Sequence, residues 1–136
     1  MTSFPPATLK IEDLVVKRGG KTVVRGLNLS VEPGQVVGLL GPNGAGKSSA
    51  FHAIVGLIRS SAGFIRLGER SLERLAMFQR ARLGLGYLPQ EASVFEGLSV
   101  AENLKAVMEI ALPSSERRAQ LDWLLEEFDL DVIKDQ

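Results

Sequence analysis

Residues Gly41 to Ser48, read as GPNGAGKS, combine the residue types needed to hold a polyphosphate. Gly41, Gly44 and Gly46 let the backbone adopt positive φ and come close to a ligand. Successive N–H groups can then turn inward as an anion-binding concavity, and a helix starting near Gly46 adds the positive end of its dipole. Lys47 offers a mobile full charge to the terminal phosphates, and Ser48 offers a hydroxyl to Mg²⁺, which prefers oxygen ligands. Pro42, Asn43, Ala45 and Ser49 complete the binding stretch. A lysine about 4 Å from a phosphate charge gains on the order of 4 kcal/mol at an effective dielectric near 20. An ordinary exposed ion pair is worth about 0–1 kcal/mol. Loss of Lys47 is therefore expected to damage phosphate binding more than loss of any other basic residue.

A chance glycine-rich turn is the alternative, and the flanks argue against it. Val36 to Leu40 is a short apolar run of the kind a buried parallel strand shows. Ser49 to Ile58 carries Phe51, Ile54, Val55 and Ile58 on one helical face. Strand, glycine-rich loop ending in Gly-Lys-Ser, then helix, is the setting a P-loop requires.

The remaining elements must position that loop. Thr8–Val16 and Thr22–Val31 read as strands, the second alternating at Leu27, Leu29 and Val31, with Gly19-Gly20 as the turn of an antiparallel hairpin. Thr2 to Ala7 reads as a loose leader, and Pro33-Gly34 turns the chain toward the loop. Beyond a turn at Gly56 and Ser60–Gly63, a short strand is expected over Phe64–Leu67. A short helix follows over Leu72–Arg82, then a buried strand over Gly84–Leu88, stopped by Pro89. An irregular stretch, Glu91 to Leu98, leads to Ser99-Val100-Ala101-Glu102, the pattern of a capping box. Val100, Leu104, Val107, Met108 and Ala111 share one face of the helix it opens. Pro113 ends that helix, and Ser114 or Ser115 is expected to cap another with Leu121, Leu124, Leu125 and Phe128 as its stripe. Met108 and Trp123 read as packing residues, Glu116-Arg117-Arg118 as a solvated face, and His52 as a helix-surface or packing residue.

The 136 residues are the size of one ordinary domain, and 45% apolar content is enough for a packed core. With 16 basic and 16 acidic residues the net charge is zero, unlike a sequence-independent nucleic-acid binder. There is no cysteine, hence no disulfide framework or thiolate chemistry. No apolar stretch approaches the roughly 18 residues of a membrane span. Met1 to Pro6 lacks the features of a signal peptide.

With GPNGAGKS at Gly41–Ser48 and GYLPQ at Gly86–Gln90, the chain resembles the ATP-binding subunits of ABC transporters. The resemblance implies an α/β P-loop NTPase core with an N-terminal antiparallel β hairpin and the start of a helical subdomain. Residues 1–136 would be the N-terminal part of a single ATP-binding domain, with 1–90 the hairpin and P-loop core and 91–136 the start of the helical subdomain. ATP and Mg²⁺ are the implied cofactors. The loop residues would cradle the phosphates, Ser48 and Gln90 would touch Mg²⁺, and Lys47 and Gln90 would serve hydrolysis. Gln90 would also lie near the attacking water and the membrane subunits. Arg18 falls where the family usually places an adenine-stacking aromatic, a departure that bears on base selectivity.

Over Leu39–Ser48 and Leu85–Asn103 the wording is similar to the lipopolysaccharide-export branch of that family. Two copies would pair head to tail at the cytoplasmic face of the inner membrane, each beneath an integral membrane subunit contacted near Gln90–Leu98. Phe95 is either beside the groove for that subunit or a buried loop anchor. Glu96-Gly97 replaces the basic residues relatives often carry there. The other readings are the ATPase of another transporter, such as one for branched-chain amino acids, a soluble non-transport ABC ATPase, and a P-loop kinase or GTPase. Neutral charge and absent heptads speak against the soluble ABC reading, and the hairpin with Pro89-Gln90 against the last. The family's LSGGQ-type signature, catalytic glutamate and switch histidine do not occur up to Gln136. The expectation is an N-terminal fragment, inactive in hydrolysis and poorly soluble because P-loop sheet edges stay uncovered.

Overall fold

In the computed structural model residues 6–91 and 93–136 are described. The expected leader over Thr2–Ala7 lies outside them as far as residue 5, as does residue 92 of the irregular stretch. The chain forms two compact units, Thr2–Leu88 and Pro89–Gln136.

The first unit is built on the expected hairpin. Strand β1 (Leu9–Arg18) pairs antiparallel with β2 (Lys21–Val31), Arg18 opposite Lys21. Between them Gly19 and Gly20 have φ of 54° and 76°, as a two-residue turn matched to strand twist requires. On its other edge β1 pairs with β3 (Ala62–Leu67), which pairs with β4 (Arg70–Ser71). The sheet order is β2-β1-β3-β4, antiparallel throughout.

Central strand β1 supplies Ile11, Leu14 and Val16 to the core. Ile11 and Leu14 are three apart, so strict alternation would put them on opposite faces. A bulge at Asp13, with φ 48° and a register shift between Ile11 and Leu14, returns both to one face. Asn28 holds that bulge: its Oδ1 accepts from the Asp13 N–H at 2.9 Å and its Nδ2 donates to Asp13 Oδ1 at 3.1 Å. Helix α1 (Lys47–Val55) lays Ala50, Ala53 and Ile54 on this core, where each large side chain contributes about 1.5–3 kcal/mol by burial.

The helix face differs from the expected one. Ile54 and Val55 are buried, but Phe51 is 45% exposed and the helix stops before Ile58, at Gly56 with φ 87°. The buried face is centred on Ala50 and Ala53, whose small side chains let the helix lie close to the sheet.

Neither strand expected beside the loop is formed. Val36–Leu40 and Gly84–Leu88 have no ladder, and Val36, Leu40 and Leu88 are 97%, 92% and 91% exposed. A strand exists only where a neighbour takes its N–H and C=O groups. Among the described residues no strand lies beside either segment. The helix expected over Leu72–Arg82 shrinks to α2 (Met77–Ala81), because Leu72 is buried in the core and begins a turn closed by Leu75 N–H on its carbonyl at 2.9 Å.

The second unit contains α3 (Val100–Ala111) and α4 (Ser114–Glu127). The capping box is formed: Ser99 Oγ accepts from Glu102 N–H at 3.3 Å, and Glu102 Oε2 accepts from Ser99 N–H at 2.8 Å. Backbone and hydroxyl hydrogen bonding at Ser99 holds the Glu102 carboxyl below its usual pKa. No serine caps α4. Pro113 holds the cap position at φ −59° without a side-chain bond, and Ser114 is already helical. Met108 is buried as expected, together with Ala101 and Leu125, whereas Trp123, Phe128 and Val107 are 51%, 62% and 62% exposed. Nor is Glu116–Arg118 wholly a solvated face. Arg117 donates from Nε to Leu112 O at 2.9 Å and from Nη2 to Glu109 O at 3.2 Å, tying the end of α3 to the start of α4.

Candidate phosphate-binding site

The loop from Gly41 to Ser48 is seated on β2. At Gly46, with φ 93°, an added Cβ would lie 2.2 Å from Val23 O, so only glycine fits. Gly44 also has positive φ, 82°, and Ala45 N–H closes a turn on Pro42 O at 3.2 Å.

The loop presents donors without acceptors. Among the described residues, the N–H groups of Gly44 and Gly46 donate to no backbone carbonyl, and no side chain caps Gly46. The first helical bond is Ala50 N–H to Gly46 O at 2.8 Å. The N–H groups of Lys47, Ser48 and Ser49 therefore lack a partner within the helix. No acidic residue stands in the first turn of α1 to compete for them. Lys47 folds back over the loop, its Nζ donating to Gly41 O at 2.6 Å and Pro42 O at 2.8 Å. The ammonium is thus held against the first two carbonyls of the same loop that carries the unmatched N–H groups. Ser48 is exposed and Ser49 buried. The site fits an anion with several oxygens, with the Ser48 hydroxyl free to face solvent or a metal.

A groove of about 770 Å³ runs beside the loop, lined by Lys21, Thr22, Val23, Arg25, Gly44 and Ala45. Arg18 does not line it. It stands exposed at the end of β1, opposite Lys21. Lys21 and Arg25 therefore bring charge to the loop's flank, a feature the sequence reading missed although both sit on the predicted second hairpin strand or at its edge. His52, on α1, meets the Tyr87 ring edge-on at 6.2 Å.

Gln90 belongs to the second unit and is exposed. The buried-anchor reading of Phe95 fails, since its side chain is 61% exposed. The loop is anchored instead by Asn103. Its Oδ1 accepts from Phe95 N–H at 2.7 Å, and its Nδ2 donates to the carbonyls of Phe95, Leu98 and Ser99 at 3.0–3.1 Å. Phe95, Val94, Leu98, Leu104 and Val107 line an apolar groove of about 390 Å³. Nothing local in the sequence marks Asn103, because its partners are set by how the loop returns on the helix.

A glycine loop with unmatched N–H groups at a helix start, closed by a lysine and resting on a β hairpin, defines a P-loop nucleotide-binding protein. The ABC transporter family profile matches residues 24–136, and the chain belongs to that family. A probable ABC transporter ATP-binding protein of Azorhizobium caulinodans is 52% identical over 117 residues, 85% of this chain and 42% of its own length. The lipopolysaccharide export system ATP-binding protein LptB of Escherichia coli is 43% identical over 131 residues, 95% of this chain and 54% of its own. A solved ATP binding subunit of an ABC transporter superposes with TM-score 0.78 at 28% identity, over 94% of this chain and 53% of that one. The chain spans about half the length of the curated relatives it matches. The fold expectation, an α/β P-loop core with an antiparallel hairpin, agrees with these neighbours. Among the described residues no helix is long and apolar enough to cross a membrane.

Proposed function

We propose that the whole protein binds and hydrolyses ATP with Mg²⁺ as the energising subunit of an ABC transporter, and that its cargo is lipopolysaccharide leaving the inner membrane. The observation that carries the nucleotide half is the set of unmatched N–H groups of Gly44, Gly46, Lys47, Ser48 and Ser49, with Lys47 Nζ folded onto the Gly41 and Pro42 carbonyls. In this reading Gly41, Asn43, Gly44, Ala45, Gly46 and Ser49 surround the phosphates with backbone donors, and Pro42, which has no N–H, shapes the loop between them. Lys47 leaves the Gly41 and Pro42 carbonyls for the terminal phosphate. Ser48 and Gln90 would hold Mg²⁺, which would supply charge neutralisation at the phosphates, and Gln90 would orient water. Arg18 reaches the base from the hairpin end, with Lys21 and Arg25 steering the anion in.

The cargo rests on similarity to the lipopolysaccharide export proteins, 43–45% identical over most of this chain. Two copies work as a homodimer, peripheral to the membrane on its cytoplasmic face, with membrane subunits contacting Gln90–Leu98. Residues 1–136 form the N-terminal part of one ATP-binding domain and do not hydrolyse ATP without the rest. A different transporter cargo is the second reading, favoured by the relative at 52% identity whose name specifies none.

ATP binding by the whole protein and its Lys47→Ala variant tests the first half. Lys47→Ala should lose binding by about a hundredfold or more, consistent with a charge contact worth roughly 4 kcal/mol. Equal binding by both proteins refutes it. For the cargo, the whole gene should restore growth of Escherichia coli depleted of its own export ATPase. Failure to do so, with ATP hydrolysis intact and the protein bound to the export membrane subunits, assigns it to another transporter.

A further inference from the structure

Among the described residues Arg80 is the only buried charge, 3% exposed on α2, and it makes no salt bridge. Its Nη1 donates to Ala53 O at 2.7 Å and Ile54 O at 2.6 Å, and its Nε donates to Leu75 O at 2.9 Å. Ala53 and Ile54 lie in the last turn of α1, where carbonyls have no partner within the helix. The main chain attends chiefly to the carbonyl before them: Gly56, Leu57 and Ile58 all direct their N–H groups at His52 O, at 2.9–3.2 Å, and Gly56 N–H also reaches Ala53 O at 3.3 Å. The end of α1 is thus shared between a glycine turn over His52 O and a guanidinium that serves Ile54 O alone and Ala53 O jointly with Gly56. Gly56 makes the arrangement possible, because a Cβ there would come within 2.9 Å of Arg80 Nε.

Burial alone disfavours a cation, and it pushes the Arg80 guanidinium down in pKa, with the Glu73 carboxylate nearby opposing. The compensating field is the negative end of the α1 dipole. Helix α1 has nine residues, a length at which a helix is marginal without tertiary support. It is also the helix whose opposite end carries the unmatched N–H groups of the phosphate loop, about 13 Å away at 1.5 Å per residue.

We infer that Arg80 is a positioning residue for the nucleotide: by fastening the last carbonyls of α1 it holds the axis along which the first-turn N–H groups meet the phosphates. The inference rests on the P-loop reading above. Without Arg80 the last turn frays, the short helix rocks on Ala50 and Ala53, and its first turn no longer faces the anion at a fixed angle. The fork of the guanidinium matters as well as its charge, because one ammonium cannot reach Leu75 O and both helix carbonyls with the same geometry.

The test uses the whole protein with Arg80→Met, Arg80→Lys and Lys47→Ala. ATP dissociation constants are measured well below each melting temperature, and amide exchange is followed across residues 47–50 without nucleotide. Arg80→Met should weaken ATP binding by about tenfold and speed exchange at 47–50, and Arg80→Lys should recover part of both. A structural role alone would lower the melting temperature and leave the dissociation constant unchanged. ATP affinity within about twofold of the parent in the Arg80 variants, while Lys47→Ala loses binding, overturns the inference and spares the P-loop reading. If Lys47→Ala binds like the parent, the P-loop reading fails and this inference falls with it. If Arg80→Met does not fold, Arg80→Lys decides: parental affinity refutes positioning, and weakened affinity supports it.

Discussion

Lys47 and Gly46 illustrate two ways a single residue determines this site. Lys47 acts through charge, and its ammonium donates to two loop carbonyls, those of Gly41 and Pro42. Gly46 acts through an absence, since its φ of 93° and the 2.2 Å approach to Val23 O leave no room for a methyl group. Gly46→Ala should therefore destabilise the whole protein by about 1–3 kcal/mol, the cost of a strained backbone conformation, and lift the loop from β2. Urea melts with parallel ATP titrations check this, and a variant with parental stability would show that the loop yields without cost. Both residues were legible from sequence because loop, glycines and lysine lie within eight consecutive positions. Arg80 was not, because the two helix carbonyls it serves lie 27 and 26 residues earlier in the chain, and only Leu75 O is near it in sequence.

The secondary elements follow local rules where their termini are local. Ser99 and Glu102 stand three apart, each bonding the other's backbone N–H, so the start of α3 was readable to the residue. Ser99→Ala should cost about 1 kcal/mol of stability, as loss of an N-cap does elsewhere. The Glu102 carboxyl is held below its ordinary 4.5, so its contribution to α3 is complete above that pH and is lost as pH falls through the lower folded value. The stability difference between parent and Glu102→Gln, measured from pH 7 down to 2.5, should vanish at the acid end. A difference that persists there would mean the carboxylate charge is not what stabilises the helix start. Asn103 belongs to the same element but works through tertiary contact. Asn103→Ala should free the 95–99 loop and speed its amide exchange while leaving α3 helical. Periodicity could not foresee that Pro113 would take the position expected of a serine, nor that Trp123 would face outward. It ranks faces by polarity and carries no information on which neighbour arrives.

At the scale of the chain, the apolar segments 36–40 and 84–88 carry Val36, Leu40 and Leu88 almost fully in water. Gly84 and Leu85 N–H donate to Ala81 O and Arg80 O at 2.9 and 3.2 Å, but neither segment is laddered to a strand, and apolar backbone without a ladder is a template for pairing with another chain. Purified residues 1–136 should accordingly self-associate, with a sedimentation coefficient that rises with concentration. A monomer with a sharp, reversible melt would refute that. The P-loop, the hairpin turn at Gly19-Gly20 and the α3 cap could be read directly from residue order, because each is a short-range bargain between side chain and adjacent backbone. The bulge that returns Leu14 to the core, the guanidinium under α1 and the Asn103 clasp emerged from folding alone. They depend on groups brought together from distant positions, and no pattern along a chain encodes a distance through space.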